Sequence, residues 1–211
     1  GAHQHSVTWE GHRNQAIDAL SEKLKAEGKK PFAIPYGVSN AMGALSYSSV
    51  VLEIAQQCDG FGFTPKTILA ASGSGGTQSG LLVGAQHCLP DTEIIGVDVD
   101  ADPQRVRQDV IEHGSGACAL LGSTFNEDAV QVLSGFSGAA YGTLAKSTVE
   151  AMKLIGRLEA IILDPVYTGK AMAALIGLVQ KGKWDKHDHI VFVHTGGMPA
   201  TFAYAGAFSD G

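Results

Sequence analysis

Residues 72–80 read Ser-Gly-Ser-Gly-Gly-Thr-Gln-Ser-Gly, and this glycine-rich stretch decides the fold. The apolar run at residues 67–71 precedes it and predicts a buried strand, whereas residues 81–85 predict the body of a helix. Glycines let a backbone approach a ligand closely, and the first N–H groups of a helix have no partner within the helix. The stretch therefore predicts a strand, a turn and a helix start that together bind an anion such as a phosphate.

The composition is typical of one α/β domain, or of one domain with part of another. The chain has 211 residues, of which 45% are hydrophobic and 17% charged, so a sizeable core is expected and disorder is not. The net charge of −6, without a basic stripe, argues against nucleic-acid and anionic-membrane surfaces. No apolar run is long enough to span a bilayer, and the first residues lack a signal-peptide pattern. The three cysteines are interpreted as reduced thiols of a cytoplasmic protein.

The order of predicted elements around the glycine turn is strand, helix, strand, with the second strand at residues 93–99. This β-α-β order implies a parallel sheet covered by helices. Further short strands are predicted at residues 31–35, 160–163 and 190–194, and helices at 13–27, 44–57, 103–113, 147–158 and 168–181. The expected fold is α/β, with a mostly parallel twisted sheet and helices on both faces.

Three turns that follow predicted strands are expected to face one cleft, because ligands of open parallel sheets bind at the carboxyl ends of strands. The turns are residues 72–80, 164–170 and 195–197. Tyr167 lies in the second turn, where a tyrosine can donate or relay a proton or can simply pack at the edge of the core. Lys170 is a nucleophile, a phosphate partner or a solvated lysine at a helix start.

The residues alone leave three interpretations of the glycine loop open. A mononucleotide or another phosphate group fits the loop, and a dinucleotide fits it if Asp98, at the end of the next strand, binds a ribose. However, Gln78 stands where the third glycine of the dinucleotide fingerprint would fall. A purely structural turn is the third interpretation. A P-loop NTPase is not supported, since no Gly-Lys-Ser/Thr ending follows the loop.

Four stretches resemble one family of pyridoxal-phosphate (PLP) enzymes, the family that includes D-cysteine desulfhydrase and 1-aminocyclopropane-1-carboxylate (ACC) deaminase. They are residues 34–40 (Ile-Pro-Tyr-Gly-Val-Ser-Asn) with Gly43, residues 71–80, residues 163–172 (Leu-Asp-Pro-Val-Tyr-Thr-Gly-Lys-Ala-Met) and residues 194–200 (His-Thr-Gly-Gly-Met-Pro-Ala). The resemblance runs in order over nearly the whole chain. It implies the type II PLP fold, PLP as the cofactor, and a small amino acid as the substrate.

The same resemblance implies roles for individual residues and implies no metal. The phosphate of PLP is expected in a cup at the glycine loop, two tyrosines near the substrate, and three further residues around the pyridine ring. The phosphate cup is expected to consist of Ser74, Gly75, Gly76 and Thr77, and the catalytic tyrosines are expected to be Tyr167 and Tyr141. Thr168 is the expected partner of the pyridine nitrogen, and Thr195 and Gly196 are expected to line the ring pocket.

Position 168 helps to choose an activity within the family, because ACC deaminases carry a glutamate there that keeps the pyridine nitrogen protonated. Thr168 is neutral and predicts a weaker electron sink, which suits β-elimination better than cyclopropane opening. The expected reaction converts D-cysteine to pyruvate, sulfide and ammonia. ACC deaminase and cysteate sulfo-lyase activity are alternatives, and so are a nicotinamide-dependent oxidoreductase that uses Asp98 and a non-catalytic fragment.

One departure from the family pattern concerns its N-terminal segment, which carries the Schiff-base lysine and a serine-bearing loop. The chain is expected to lack that segment, which would then be a companion chain or would have been lost. Residues 1–45 are expected to be the remnant of a small domain, and residues 46–211 the large PLP-binding domain. The resemblance also implies a homodimer.

Overall fold

Four parallel strands form one sheet in the computed structural model, which describes residues 2–6 and 13–208. The strands are β1 (Thr67–Ser72), β2 (Glu93–Asp98), β3 (Gln131–Leu133) and β4 (Ile190–Phe192). Their order across the sheet is β3-β2-β1-β4, and each neighbouring pair is parallel. The expected parallel α/β class is therefore confirmed.

Helices account for most of the remaining regular structure. They are α1 (Arg13–Ala26), α2 (Ala41–Gly60), α3 (Gly76–Cys88), α4 (Pro103–Leu120), α5 (Lys146–Glu159) and α6 (Thr168–Gln180), with 3-10 turns at Tyr36–Val38, Glu127–Ala129 and Met198–Phe208. All six predicted helices are confirmed in kind, although α4 continues seven residues past its predicted end at residue 113. Within the described ranges, no helix combines the length and the apolar character that crossing a bilayer needs.

Both faces of the sheet are buried, which explains why β1 reads as a continuous apolar run rather than an alternating one. Ile68 and Ala70 belong to the core beneath α2, α3 and α4. Leu69 and Ala71 belong to the opposite core, which includes residues of α6. Successive side chains of a strand point to opposite faces, so one apolar segment supplies both cores.

Two of the short predicted strands are wrong, and one real strand was not predicted. Residues 31–35 form no strand, because two of the five are prolines and have no N–H to donate to a ladder. Residues 160–163 form none either: Ala160 ends α5 in the left-handed region, with φ of 56°. Strand β3 spans only three residues of a segment without periodicity. The predicted domain boundary at residue 45 lies inside α2, and the division into domains stays a prediction.

Gln78 has a structural role that explains why it replaces the third fingerprint glycine. Its side chain is fully buried, and its Nε2 donates to the carbonyl of Gln131 in β3 at 2.7 Å. The Gln78 side chain lies against Gly96 of β2, where an added Cβ would overlap the Gln78 amide group. Gln78 therefore crosses over β2 and ties α3 to the edge strand.

Candidate active site

The glycine loop places the start of α3 at the carboxyl end of β1. Gly75 precedes the first residue of α3 with φ of 81°, and no side chain caps this helix end. A Cβ on Gly75 would lie 3.0 Å from the backbone nitrogen of Val110. The N–H groups of the first helical turn are therefore available to an anion, and the loop conformation favours glycine at this position.

The turn at Tyr36–Val38 packs against the glycine loop and supports it from the side. Ser39 is buried, and its Oγ donates to Oγ of Ser74 at 2.7 Å. A Cβ on Gly37 would overlap the Ser74 hydroxyl, and a Cβ on Gly76 would lie 2.6 Å from Oγ of Ser39. These contacts bring the first and second stretches of the family resemblance together at one place.

Asp164 organises the start of α6. This fully buried residue accepts backbone hydrogen bonds through Oδ2 from Val166 and Tyr167, at 2.8 and 2.9 Å. Through Oδ1 it accepts from the backbone N–H and the hydroxyl of Thr168, both at 2.7 Å. A Cβ on Gly197 would lie 2.7 Å from its carboxyl carbon. Asp164 thus positions both Tyr167 and the turn at residues 195–197.

Thr168 is bonded to Asp164, and its expected contact with the pyridine nitrogen stays a prediction. Its side chain is fully buried, its hydroxyl proton is directed to Oδ1 of Asp164, and its oxygen accepts the N–H of Asp164 at 2.8 Å. In this arrangement Thr168 and Asp164 together hold the start of α6.

Tyr141 and Tyr167 form a directly hydrogen-bonded pair. Their hydroxyl oxygens are 2.6 Å apart, and their rings meet edge to face with centroids 5.9 Å apart. Burial raises the pKa of Tyr141 and raises the pKa of Tyr167 far above its ordinary value. Both phenols therefore stay protonated at neutral pH. Tyr204 holds the turn beside Tyr141 by donating its hydroxyl to the carbonyl of Gly142 at 2.7 Å.

The glycine-loop pocket, with a volume of about 280 Å³, gathers most of the expected site residues. Its walls come from the turn at Gly37, the end of β1, the glycine loop, the start of α6 and the turn after β4. The lining residues are Gly37, Ala71, Ser72, Gly73, Ser74, Gly75, Gly76, Thr77, Tyr167, Thr195, Gly196 and Gly197. Tyr141 does not line the pocket, but it is hydrogen-bonded to Tyr167, which does. Thr168 does not line the pocket either.

Two other residues from the sequence analysis lie outside the pocket lining. Asp98 is fully buried, and this burial raises the pKa of its carboxyl group. The ribose contact that the dinucleotide interpretation requires of Asp98 stays a prediction. Lys170 is also fully buried, and its Nζ donates to the carbonyls of Val99 and Ser137 at 3.2 and 2.6 Å. Burial lowers the pKa of Lys170, and its contacts are those of a structural lysine.

Two contributors to the site had no role predicted from the sequence: Ser39, which bonds to Ser74, and Asp164 as an organising residue. Of these, Asp164 carried a usable signal, because an aspartate followed by a proline is typical of a turn in which the carboxylate accepts the N–H group two residues on. The other contact joins segments that are far apart in the chain. Among the described residues, no group of three His, Cys, Asp or Glu side chains is arranged to hold a metal ion.

Together, the fold and the pocket define a class of protein: an open parallel α/β protein whose central strand is followed by an uncapped helix start of the kind that favours anions. The sequence pattern of the pyridoxal-phosphate dependent enzymes matches residues 1–196. The chain belongs to this family of PLP-dependent enzymes, which confirms PLP as the expected cofactor of the family.

Solved structures agree with this assignment. An ACC deaminase homologue is similar with a TM-score of 0.82 and 33% sequence identity, over 92% of this chain and 57% of that one. A threonine deaminase from T.th. is similar with a TM-score of 0.50 and 20% identity, over 72% of this chain and 56% of that one. The second similarity shows the fold alone. The chain thus spans little more than half the length of either structure.

The glycine-loop pocket suits the phosphate of PLP by its own geometry. The start of α3, which no side chain caps, follows Gly75 in its left-handed conformation. The hydroxyl-bearing residues Ser74 and Thr77 also line the pocket. Ser72, at the end of β1, also has a buried hydroxyl oxygen without a hydrogen-bond partner among the described residues. Free N–H groups, hydroxyls and a helix dipole are the features that favour a phosphate.

Proposed function

We propose that the glycine-loop pocket is the cofactor site of a PLP-dependent enzyme that eliminates the β-substituent of a small amino acid, with D-cysteine as its substrate. The reaction takes D-cysteine and water to pyruvate, hydrogen sulfide and ammonia. Ser74, Gly75, Gly76 and Thr77 would hold the phosphate. The turn with Thr195 and Gly196 would lie along the ring.

One observation carries the choice of reaction. Among the described residues, the lining of the pocket includes no aspartate, glutamate, lysine or arginine, and Tyr167 is its one ionisable side chain. PLP, when bound, supplies an electron sink for bonds at the amino acid's Cα, and an acid beside the ring nitrogen strengthens that sink. A pocket without such an acid suits elimination, because hydrosulfide is a good leaving group. Its departure requires less withdrawal of electrons by the cofactor ring.

Tyr167 and Tyr141 supply the proton chemistry in this proposal. Because burial raises the pKa of both phenols, each enters the reaction with its proton in place and acts as a donor rather than as a base. Tyr167 lines the pocket and would donate to the departing sulfur, while Tyr141 orients the Tyr167 hydroxyl through their 2.6 Å contact. This arrangement fits a leaving group that departs as an anion.

The test is a turnover assay on the 211-residue chain with saturating PLP. D-cysteine, L-cysteine and ACC are supplied separately, and sulfide, pyruvate and 2-oxobutanoate are measured. We expect sulfide and pyruvate in equal amounts from D-cysteine. Sulfide from L-cysteine alone, or no product from any substrate, would overturn the proposal for this chain.

A second candidate function is deamination of ACC, because the structure at 33% identity is that of an ACC deaminase homologue. It predicts 2-oxobutanoate and ammonia from ACC, with little sulfide from D-cysteine. The same assay separates the two functions, since their carbon products differ by one carbon atom.

Replacing Gly75 tests the phosphate site directly. An alanine there must adopt φ near 81°, which costs about 1–2 kcal/mol in the left-handed region, and its Cβ would lie 3.0 Å from a backbone nitrogen. Gly75→Ala should therefore weaken PLP binding by about tenfold or more, measured by absorbance titration of PLP. The control is Gly122→Ala, because Gly122 has a positive φ of 69° as well, but lies outside the pocket lining, and a Cβ there would meet nothing within 4 Å. Equal affinities for the two variants would contradict the phosphate site.

A further inference from the structure

Two carboxyl-bearing side chains pack against the glycine loop from outside the described lining of the pocket. A Cβ on Gly73 would lie 3.6 Å from Oδ1 of Asp100, and a Cβ on Gly75 would lie 3.2 Å from Cβ of Asp109. Both glycines line the pocket. The nearest charged groups to the expected phosphate site therefore include two negative ones, and their charge opposes the binding of an anion.

Arg105 of α4 joins these two carboxyl groups. Its Nη1 donates to Oδ2 of Asp109, and its Nη2 donates to Oδ2 of Asp100. The same Nη2 lies 3.5 Å from the carbonyl oxygen of Gly73. Because a guanidinium group presents several donors in one rigid plane, Arg105 fixes the segment after β2 and the middle of α4 beside the glycine loop.

Other charged groups of this region do not replace Arg105. Asp102 adds a third carboxyl group, 3.9 Å from Nε of Arg105, but its side chain is more exposed than those of Asp100 and Asp109. The buried Lys170 donates to backbone carbonyls rather than to these carboxyl groups. Within the described part of the chain, Arg105 is the only cation that forms an ion pair with either Asp100 or Asp109.

We propose that Arg105 is a positioning residue for the phosphate of PLP: it compensates the charge of Asp100 and Asp109 beside the glycine loop and so keeps the start of α3 attractive to an anion. The inference rests on the proposed function, which places the phosphate at residues 74–77. Partly buried charges are screened less than exposed ones, so without Arg105 the two carboxylates would repel a phosphate dianion. Arg105 does not line the pocket and acts through these carboxyl groups.

The test is an absorbance titration of the full chain with PLP at one fixed salt concentration. Arg105→Gln removes the positive charge, and we expect the affinity for PLP to fall about tenfold. The matched control is Arg107→Gln, because Arg107 lies in the same helix but donates to the carbonyl of Glu127 at an exposed position. The control changes the net charge equally and should leave the affinity within about twofold.

Replacing the carboxyl groups separates charge compensation from a purely structural role. When Asp100→Asn and Asp109→Asn are added to Arg105→Gln, the repulsion is gone, and the affinity should return to within about threefold of the unsubstituted chain. The pair Asp100→Asn and Asp109→Asn with Arg105 intact should bind PLP about threefold more tightly than the unsubstituted chain. This second variant keeps the test decisive if Arg105→Gln does not fold, which circular dichroism would show.

Three results would overturn the proposal: an unchanged affinity in Arg105→Gln, a loss that persists after both carboxyl groups are replaced, or an equal loss in Arg107→Gln. An unchanged affinity in the variant that keeps Arg105 and lacks both carboxyl groups would overturn it as well. Failure of the proposed function gives a different result. PLP binding that depends on Arg105 as expected, without turnover of D-cysteine, would overturn the proposed function but support the role of Arg105. An unsubstituted chain that binds no PLP would overturn both.

Discussion

Replacement of Asp164 by alanine is expected to lower the free energy of unfolding by about 3–5 kcal/mol, among the largest losses for one residue of this chain. Asp164 is fully buried and accepts four hydrogen bonds, from three backbone N–H groups and the Thr168 hydroxyl. In Asp164→Ala all four donors lose their partner inside the protein. Urea unfolding followed by circular dichroism measures the loss.

The matched control is Asp102→Ala, because Asp102 also caps a helix with its carboxyl group. It accepts a single backbone hydrogen bond, from Arg105 at 3.1 Å, and its side chain is 55% exposed. The loss expected for a single exposed cap is about 1 kcal/mol. If the two variants lost equal stability, the account of Asp164 as the organiser of the α6 start would be wrong.

The consequence of Asp164→Ala for the site follows from the same contacts. Tyr167 and Thr168 both receive their position from this carboxyl group, and Gly197 packs against it. Two walls of the glycine-loop pocket therefore depend on one side chain. We expect PLP affinity to fall in Asp164→Ala even at temperatures where the variant remains folded, whereas Asp102→Ala should bind PLP normally.

Gly96→Ala is the second substitution with a large expected effect, a destabilisation of about 3 kcal/mol. A Cβ at this position in β2 would overlap the amide of Gln78, which is fully buried and bonded to the backbone of Gln131. Accommodating the methyl group would require the Gln78 side chain to leave its site. Chemical denaturation with both tryptophan fluorescence and circular dichroism measures this cost.

A double-mutant cycle with Gln78→Ala makes the prediction specific. Gln78→Ala alone should be destabilising, because it removes a buried hydrogen bond and leaves a cavity. In that background the added methyl group has room, so the further cost of Gly96→Ala should fall below about 1 kcal/mol. Gly60→Ala, where a Cβ would meet nothing within 4 Å, should be neutral or stabilising. Additive losses in the cycle would show that the Gln78 contact is not the cause.

The sequence was most informative where one local signal coincides with one local structure. The strand, glycine turn and helix at residues 67–88 were predicted from residue order alone, and the motif resemblance identified the PLP-dependent family that the comparisons confirm. The starts of α5 and α6 were also predicted within one residue. In each case the information lies in neighbouring residues, whose backbone preferences act over a few positions.

The role of Thr168 shows where that information ended. The motif resemblance implies a contact between Thr168 and the cofactor ring, which stays a prediction, whereas the structure shows its hydroxyl bonded to Asp164. The direction of a hydroxyl at a helix start depends on which acceptors surround it, and the sequence order does not specify that direction. The proposal of elimination is supported in addition by the absence of an acidic side chain from the described lining of the pocket.

What the sequence by itself determined about this protein is its family, its parallel α/β class and the position of the glycine loop. Only the tertiary structure decided how Gln78 crosses β2 to reach Gln131, how Asp164 positions two walls of the pocket, and how Tyr141 reaches Tyr167. The physical reason is the range of the interactions. Helix starts and glycine turns depend on adjacent residues, whereas these contacts join segments that only packing brings together.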